Sequence, residues 1–202
     1  MKKPVIVIVG MVVLGVALTL VADLAWNWLR PPQLHGMVLQ SHERALDFTL
    51  NDEAGQPVKL SDFRGKLVLL YFGYTFCPDV CPATLAQVKE ALAQLGGDAE
   101  RVQLIMISVD PERDTPEKVS AYVRQFDPRF IGLTGDPETL TRITTAYGVV
   151  YEQHEGSAAT GYLIDHTATL TILDRDGYVR LIMPFGVTGV DMASDLRYLL
   201  TH

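Results

Sequence analysis

The sequence predicts an α/β protein: a mixed sheet flanked by helices on both faces, with an N-terminal transmembrane helix in front of it. Three observations carry this. From Asp47 onward, strand-like apolar runs alternate with helical stretches of about 10–15 residues, which implies βαβ units and parallel pairing. The chain then closes with "ATLTILDRDGYVRLIM", an antiparallel hairpin turning at Asp176-Gly177. At the other end, Pro4 to Ala22 is an uncharged run of 19 residues, close to the roughly 20 apolar residues a spanning helix needs.

That run is preceded by Lys2 and Lys3, which should keep this end cytoplasmic, and followed by Trp26 and Trp28, placed as an interfacial belt would be. A cleaved signal peptide is the rival reading. Its apolar region would be shorter and would end at a small-residue cleavage site, and no clear A-x-A follows the run. The expectation is therefore a single-pass anchor over residues 1–30, a tether over 31–45 and a body over 46–202 on the periplasmic side of the inner (cytoplasmic) membrane, where disulfides can form. The chain carries −7 overall; its first thirty residues carry +2, leaving −9 on the rest. An acidic body without a Lys/Arg cluster argues against a nucleic-acid partner.

The elements of the body follow in order. "DFTLNDEAGQPVKL" reads as two short strands around a turn. "KLVLLYF", Lys66 to Phe72, is a buried central strand. Leu85, Val88, Leu92 and Leu95 recur at helical spacing, and Gly96-Gly97 stops that helix. Val102 to Val109 is a second buried strand. Thr115 caps the next helix with Pro116 at its first position, and Val119, Tyr122, Val123 and Phe126 form its buried face. "RFIGL" is a short strand. Asp136-Pro137 opens a helix with Leu140, Ile143 and Tyr147 inward, ended by Gly148. Glu152 to Gly161 is a polar loop. Met192, Leu196, Leu199 and Leu200 mark a closing helix.

The chemistry concentrates in "YFGYTFCPDVCP", Tyr71 to Pro82, which holds the only two cysteines, Cys77 and Cys81. They follow a buried strand at the entrance to a helix. If both are helical they share a face, with Cα atoms about 6 Å apart, inside the disulfide window near its upper limit. The positive end of the helix favours thiolates, the form that reacts and binds metal. A four-cysteine zinc pattern is absent. Two soft ligands suit Cu(I), with an imidazole as third ligand. His35 and His42 lie in the tether, His154 in the polar loop and His202 at the terminus. His166 follows "YLID" and precedes "ATLTIL", at a strand end where open α/β sheets gather ligands. Spacing alone leaves it level with a histidine that is merely hydrogen-bonded at a strand edge.

"YFGYTFCPDVCP", "ISVDPERDTPE" (Ile107–Glu117) and "DHT" (Asp165–Thr167) together resemble the Sco/SenC family of copper chaperones, over about Phe48 to Leu200. The resemblance implies a thioredoxin-like (peroxiredoxin-like) fold, membrane anchoring, and help in assembling the dinuclear copper centre of cytochrome c oxidase. It implies copper ligation by Cys77, Cys81 and His166, with Asp79 beside the metal as a modulator rather than a ligand. The cargo implied is Cu(I), and imidazole also suits Cu(II). The partners implied are the oxidase's copper-bearing subunit, a copper donor protein, and the membrane through the N-terminal helix. It further implies that "DHT" stands where thioredoxins carry a cis-proline loop.

Two other readings compete. A periplasmic thiol–disulfide oxidoreductase, reducing the acceptor's cysteines, would need only Cys77 and Cys81 as its catalytic pair. A peroxidase of the peroxiredoxin type rests on fold-level likeness alone. Plainer roles are also open: an inert disulfide for the cysteines, and a dipole-favoured helix-start carboxylate for Asp79. Asp110, Arg113 and Asp114 would hold their loop through charge pairs. Met106, Met183 and Met192 read as core, and Tyr71 and Phe76 as an apolar wall.

Overall fold

Seven successive residues of one strand, β4 (Leu67–Gly73), are buried on both faces, and the body is arranged around them. The computed structural model describes residues 3–29, 34–39, 43–157 and 161–201. Two units result, Met1–Gln33 and Leu34–His202.

The first unit is the helix α1 (Lys3–Leu29). Its described side chains, Leu14, Leu18, Val21 and Leu24 among them, are exposed. Among the described residues no helix is long and apolar enough to cross a membrane.

In the second unit, β1 (Met37–Val38) lies inside the stretch expected to be a tether, and pairs with the edge of the sheet. β2 (Thr49–Asn51) and β3 (Pro57–Lys59) form a small antiparallel ribbon, as expected. β4 leads to α2 (Val80–Leu95), β5 (Val102–Ser108), α3 (Pro116–Arg124), β6 (Ile131–Leu133) and α4 (Pro137–Ala146). β7 (Tyr151–Glu155), β8 (Tyr162–His166), β9 (Thr169–Leu173), β10 (Val179–Pro184) and α5 (Gly189–Thr201) complete the chain. The main sheet has the order β1-β10-β9-β4-β5-β6. β4, β5 and β6 are parallel, and β9 and β10 add antiparallel strands, so the sheet is mixed.

Local chemistry sets the helix starts. Thr115 accepts the Lys118 N–H at 3.4 Å, with Pro116 in the first turn. Asp136 accepts the Thr139 N–H at 2.9 Å, with Pro137 behind it. Each satisfies an amide that has no partner inside its helix. α2 stops at Gly96, whose φ of +58° is unstrained only without a Cβ.

β4 alternates between two faces. Tyr71 and Gly73 face Cys81 of α2, while Phe72 faces the other way, its ring 5.8 Å from that of Tyr147 after α4. Met106, Met183 and Met192 are buried in the core, as expected.

The polar stretch read as a loop from Glu152 is corrected: Glu152–Glu155 belongs to β7, paired in antiparallel register with β8 from Tyr151↔His166 to Glu155↔Tyr162. Its side chains are largely exposed, so it lacks the apolar alternation that marks a half-buried strand. Among the described residues this ribbon is a separate two-stranded sheet, with no backbone ladder to the main one.

Candidate metal centre

Cys77 lies in the turn after β4 and before α2, while Cys81 is inside the first turn of α2. The cysteines are therefore not both helical, and the same-face spacing argument does not place them. Instead, Cys77 bends back over the helix entrance. Its Sγ accepts the Cys81 N–H at 3.4 Å, filling a place the side chain of the N-cap residue Asp79 leaves open. The helix start thus directs amides at a sulfur, an arrangement that favours thiolate.

Cys81 is fully buried and Cys77 half-buried, and both are free thiols. Gly73 makes room for the inner sulfur: a Cβ there would lie 2.8 Å from Cys81 Sγ and 3.0 Å from the Tyr71 ring. His166, the last residue of β8, brings Nε2 to 3.3 Å from Cys81 Sγ. Its Nδ1 lies 3.4 Å from the Thr167 carbonyl, which can only accept, so that contact is a hydrogen bond when Nδ1 carries the hydrogen. The rings of Tyr71 and Tyr74 stand edge-on to the imidazole at 6.1 and 5.9 Å. The ligand atoms of Cys77, Cys81 and His166 all lie within 4.8 Å of one another.

The two thiols are electrostatically unequal. The hydrogen bond from the Cys81 thiol pulls Cys77 down to about 3; the His166 ring and the amides of Cys81 and Asp79 act the same way, and burial opposes them. Cys81 is pushed up, first by the Cys77 sulfur and then by burial. The proton of the pair stays on Cys81, whose thiol donates to the Cys77 thiolate. Burial, then the Cys81 sulfur, raises the Tyr71 phenol well above its ordinary value.

The remaining candidates lie elsewhere. His35 pairs with Asp195 of α5 through Nδ1 at 2.8 Å. His154 faces Asp165 at 3.2 Å on the exposed ribbon. His42 and His202 lie outside the described residues. Asp79 is exposed and not part of the ligand group. Tyr71 is walled in as expected, but Phe76 is 51% exposed and lies under the Arg113 guanidinium at 4.8 Å. Sequence reasoning passed over Tyr74, whose hydroxyl accepts the Ile164 N–H at 3.2 Å, and Tyr162, whose hydroxyl donates to Asp110 at 2.6 Å. Both join segments far apart in the chain, so no local pattern marks them.

Two soft thiol sulfurs and one imidazole nitrogen, converging from a helix entrance and a strand end, make a low-coordination donor set of the kind that suits Cu(I).

Comparison with known proteins gives this constellation a context. The chain is 40% identical over 162 residues to the mitochondrial SCO2 homolog of Bos taurus, covering 76% of this chain and 61% of that protein. It spans about half to two thirds of the length of the mitochondrial relatives it matches. The apo Sco1 protein of Thermus thermophilus superposes with a TM-score of 0.75 at 40% identity, covering 83% of this chain and 98% of that one. Bradyrhizobium japonicum ScoI with copper bound superposes at 0.70 and 39% identity, covering 78% and 100%. The fold shared with these proteins is thioredoxin-like. BsSco, which shares the fold at a TM-score of 0.62 and 21% identity, is a member of the Sco family of cytochrome c oxidase assembly proteins. The SCO1/SenC family profile matches residues 38–201, so the chain belongs to the SCO1/SenC family.

Proposed function

We propose that this protein is a copper chaperone that carries one copper ion on Cys77, Cys81 and His166 and delivers it to the copper-bearing subunit of cytochrome c oxidase, for the dinuclear copper centre. The observation that carries the reading is the convergence of the three ligand atoms within 4.8 Å. Copper here is cargo, and Cu(I) is the valence the two thiolates favour.

Loading requires both sulfurs as thiolates. Cys77 is already ionised near neutrality, and the ion takes the place of the Cys81 proton, which leaves to solvent. Release runs by ligand exchange. A thiolate of the acceptor enters beside half-buried Cys77, the Cu–S bond to Cys77 breaks, and buried Cys81 lets go last. The copper valence does not change, and no bare ion forms. A donor protein would load the site by the same exchange in reverse.

Titration of the reduced chain with Cu(I) tests this. Cys77→Ser, Cys81→Ser and His166→Ala should each weaken binding; unchanged affinity in all three would sink the reading.

We further propose that α1 anchors the chain in the inner membrane, with the body on the periplasmic side. The support is the charge-free run Pro4–Ala22 behind Lys2 and Lys3, lying within the helix Lys3–Leu29. Release of the chain from membranes by alkaline carbonate would contradict it.

The depressed Cys77 thiol favours one second reading, a thiol–disulfide oxidoreductase acting on the acceptor. Cys77 would attack the disulfide, and Cys81 would then displace the mixed disulfide, leaving the acceptor reduced and this pair oxidised. Full activity of His166→Ala in cells would favour that reading over copper delivery.

A further inference from the structure

Among the described residues, the ribbon carrying His166 has no backbone ladder to the main sheet, whose strand β4 leads into the cysteine turn. Only two residues separate His166 from the start of β9, which places the end of β8, and contacts other than a strand ladder set how the rest of the ribbon lies against the cysteine turn. The motif loop after β5, "SVDPERDTPE", is in position to supply them.

Along β8, Tyr162, Ile164 and His166 share one face. Each is met in turn. Tyr162 donates its hydroxyl to Asp110 at 2.6 Å, and its carbonyl accepts from Arg113 at 2.9 Å. The Arg113 guanidinium also lies 3.4 Å from the centre of the Tyr162 ring. The Ile164 amide donates to the Tyr74 hydroxyl, and His166 faces Cys81. The same guanidinium reaches the cysteine loop, 4.8 Å from the Phe76 ring and 5.7 Å from that of Tyr74. Arg113 Nε is paired with Asp110 at 2.6 Å, and the two side chains are 17% and 2% exposed. Next to it, fully buried Asp114 accepts the Thr75 amide at 2.8 Å and the hydroxyls of Thr75 and Ser108. One loop thus grips the cysteine turn through Thr75 and Phe76 and the histidine strand through Tyr162.

We propose that Arg113, with Asp110 and Tyr162, is the positioning device that holds His166 over the cysteine pair. The inference rests on the copper-site reading and adds to it the element that completes the site. None of the three residues belongs to the ligand group. They act through the placement of β8, as groups behind metal ligands do. Arginine suits the task because its planar head can pair with a carboxylate, donate to a carbonyl and stack on a ring at once.

The test is Cu(I) binding by the 202-residue chain in detergent, in competition with a chromophoric chelator, together with X-ray absorption to count imidazole and sulfur neighbours. Arg113→Met should lower affinity roughly 10–100-fold, the usual cost of losing support behind a metal ligand, and the imidazole signal should fade while both sulfurs remain. Tyr162→Phe, which removes one hydroxyl and keeps the ring, should shift both readouts the same way by less. In a His166→Ala background neither change should lower affinity further, because residues acting through one ligand are non-additive with its loss. Wild-type affinity and imidazole signal in both variants would overturn this inference alone, as would equal losses in both backgrounds. A wild-type spectrum without imidazole would overturn the copper-site reading, and this inference with it.

Discussion

Gly73 shows how tightly the inner sulfur is housed. It is the last residue of β4, and its missing side chain is the space Cys81 Sγ occupies. Gly73→Ala would put a Cβ at 2.8 Å from that sulfur, with the Tyr71 ring at 3.0 Å and Met106 Cε at 3.3 Å. Overpacking of this kind costs about 1–3 kcal/mol, so urea unfolding should show a loss of that size, together with weaker Cu(I) binding. A second expectation concerns Cys77. Held near pH 3, its thiolate is already formed at pH 5, whereas an ordinary thiol near 8.5 ionises only in the alkaline range. Alkylation of Cys77 by iodoacetamide should therefore be nearly flat from pH 5 to 8. Cys81→Ala removes the largest cause of the depression, and the rate should then rise with pH. A wild-type rate that climbs through pH 8 would show that the two thiols do not share a proton.

Elements were legible where their signals are local. Thr115-Pro116 and Asp136-Pro137 announce α3 and α4 because a cap and its amide lie three residues apart. β4 was legible because a strand covered on both faces is apolar throughout. β1 and β7 were not. β1 is two residues held by a partner strand far along the chain, and β7 is polar and exposed, ordered by its ladder to β8. The segment before β1 has its own fastening: His35 docks on α5, its amide and Nδ1 both meeting buried Asp195 at 2.8 Å, with Asp191 at 3.4 Å from Nε2. The hydrogen bond to Asp195 raises the His35 pKa above its ordinary 6.5. A histidine raised in the folded state contributes its full stabilisation below the unfolded value and loses it as pH climbs through the folded one. Stability should accordingly fall as pH rises above about 6.5, and His35→Gln should flatten that slope in urea titrations at successive pH values. An unchanged slope in His35→Gln would assign the dependence to another group.

At the scale of the whole molecule, the site joins pieces that the chain keeps far apart. The cysteine pair was readable because no other thiol competes with it and its spacing is unusual. His166 was only a favourite from its position, until the family resemblance singled it out. The grip of Asp110 and Arg113 on Tyr162 was unreadable, since nothing local relates residues about fifty positions apart. This division has a thermodynamic consequence. Without metal, the β7–β8 ribbon is held to the body by its chain connections to α4 and β9, by the packing of Ile164, and by side-chain contacts that include the approach of His166 to Cys81. Copper held by Cys77, Cys81 and His166 would add a bond between ribbon and body. A ligand that binds only the closed arrangement stabilises it by RT ln(1 + [L]/Kd), about 4 kcal/mol at a thousandfold excess over Kd. Local opening of the ribbon should then be suppressed, while openings elsewhere change less. Hydrogen exchange of the chain with and without Cu(I) reads this directly. Amides of Tyr151–Glu155 and Tyr162–His166 should slow strongly on loading, those of β5 should barely change, and His166→Ala should cancel the slowing in the ribbon while leaving that at the start of α2. Equal slowing of the ribbon in His166→Ala would mean that the ribbon is fastened by its side-chain grip alone and owes nothing to the metal.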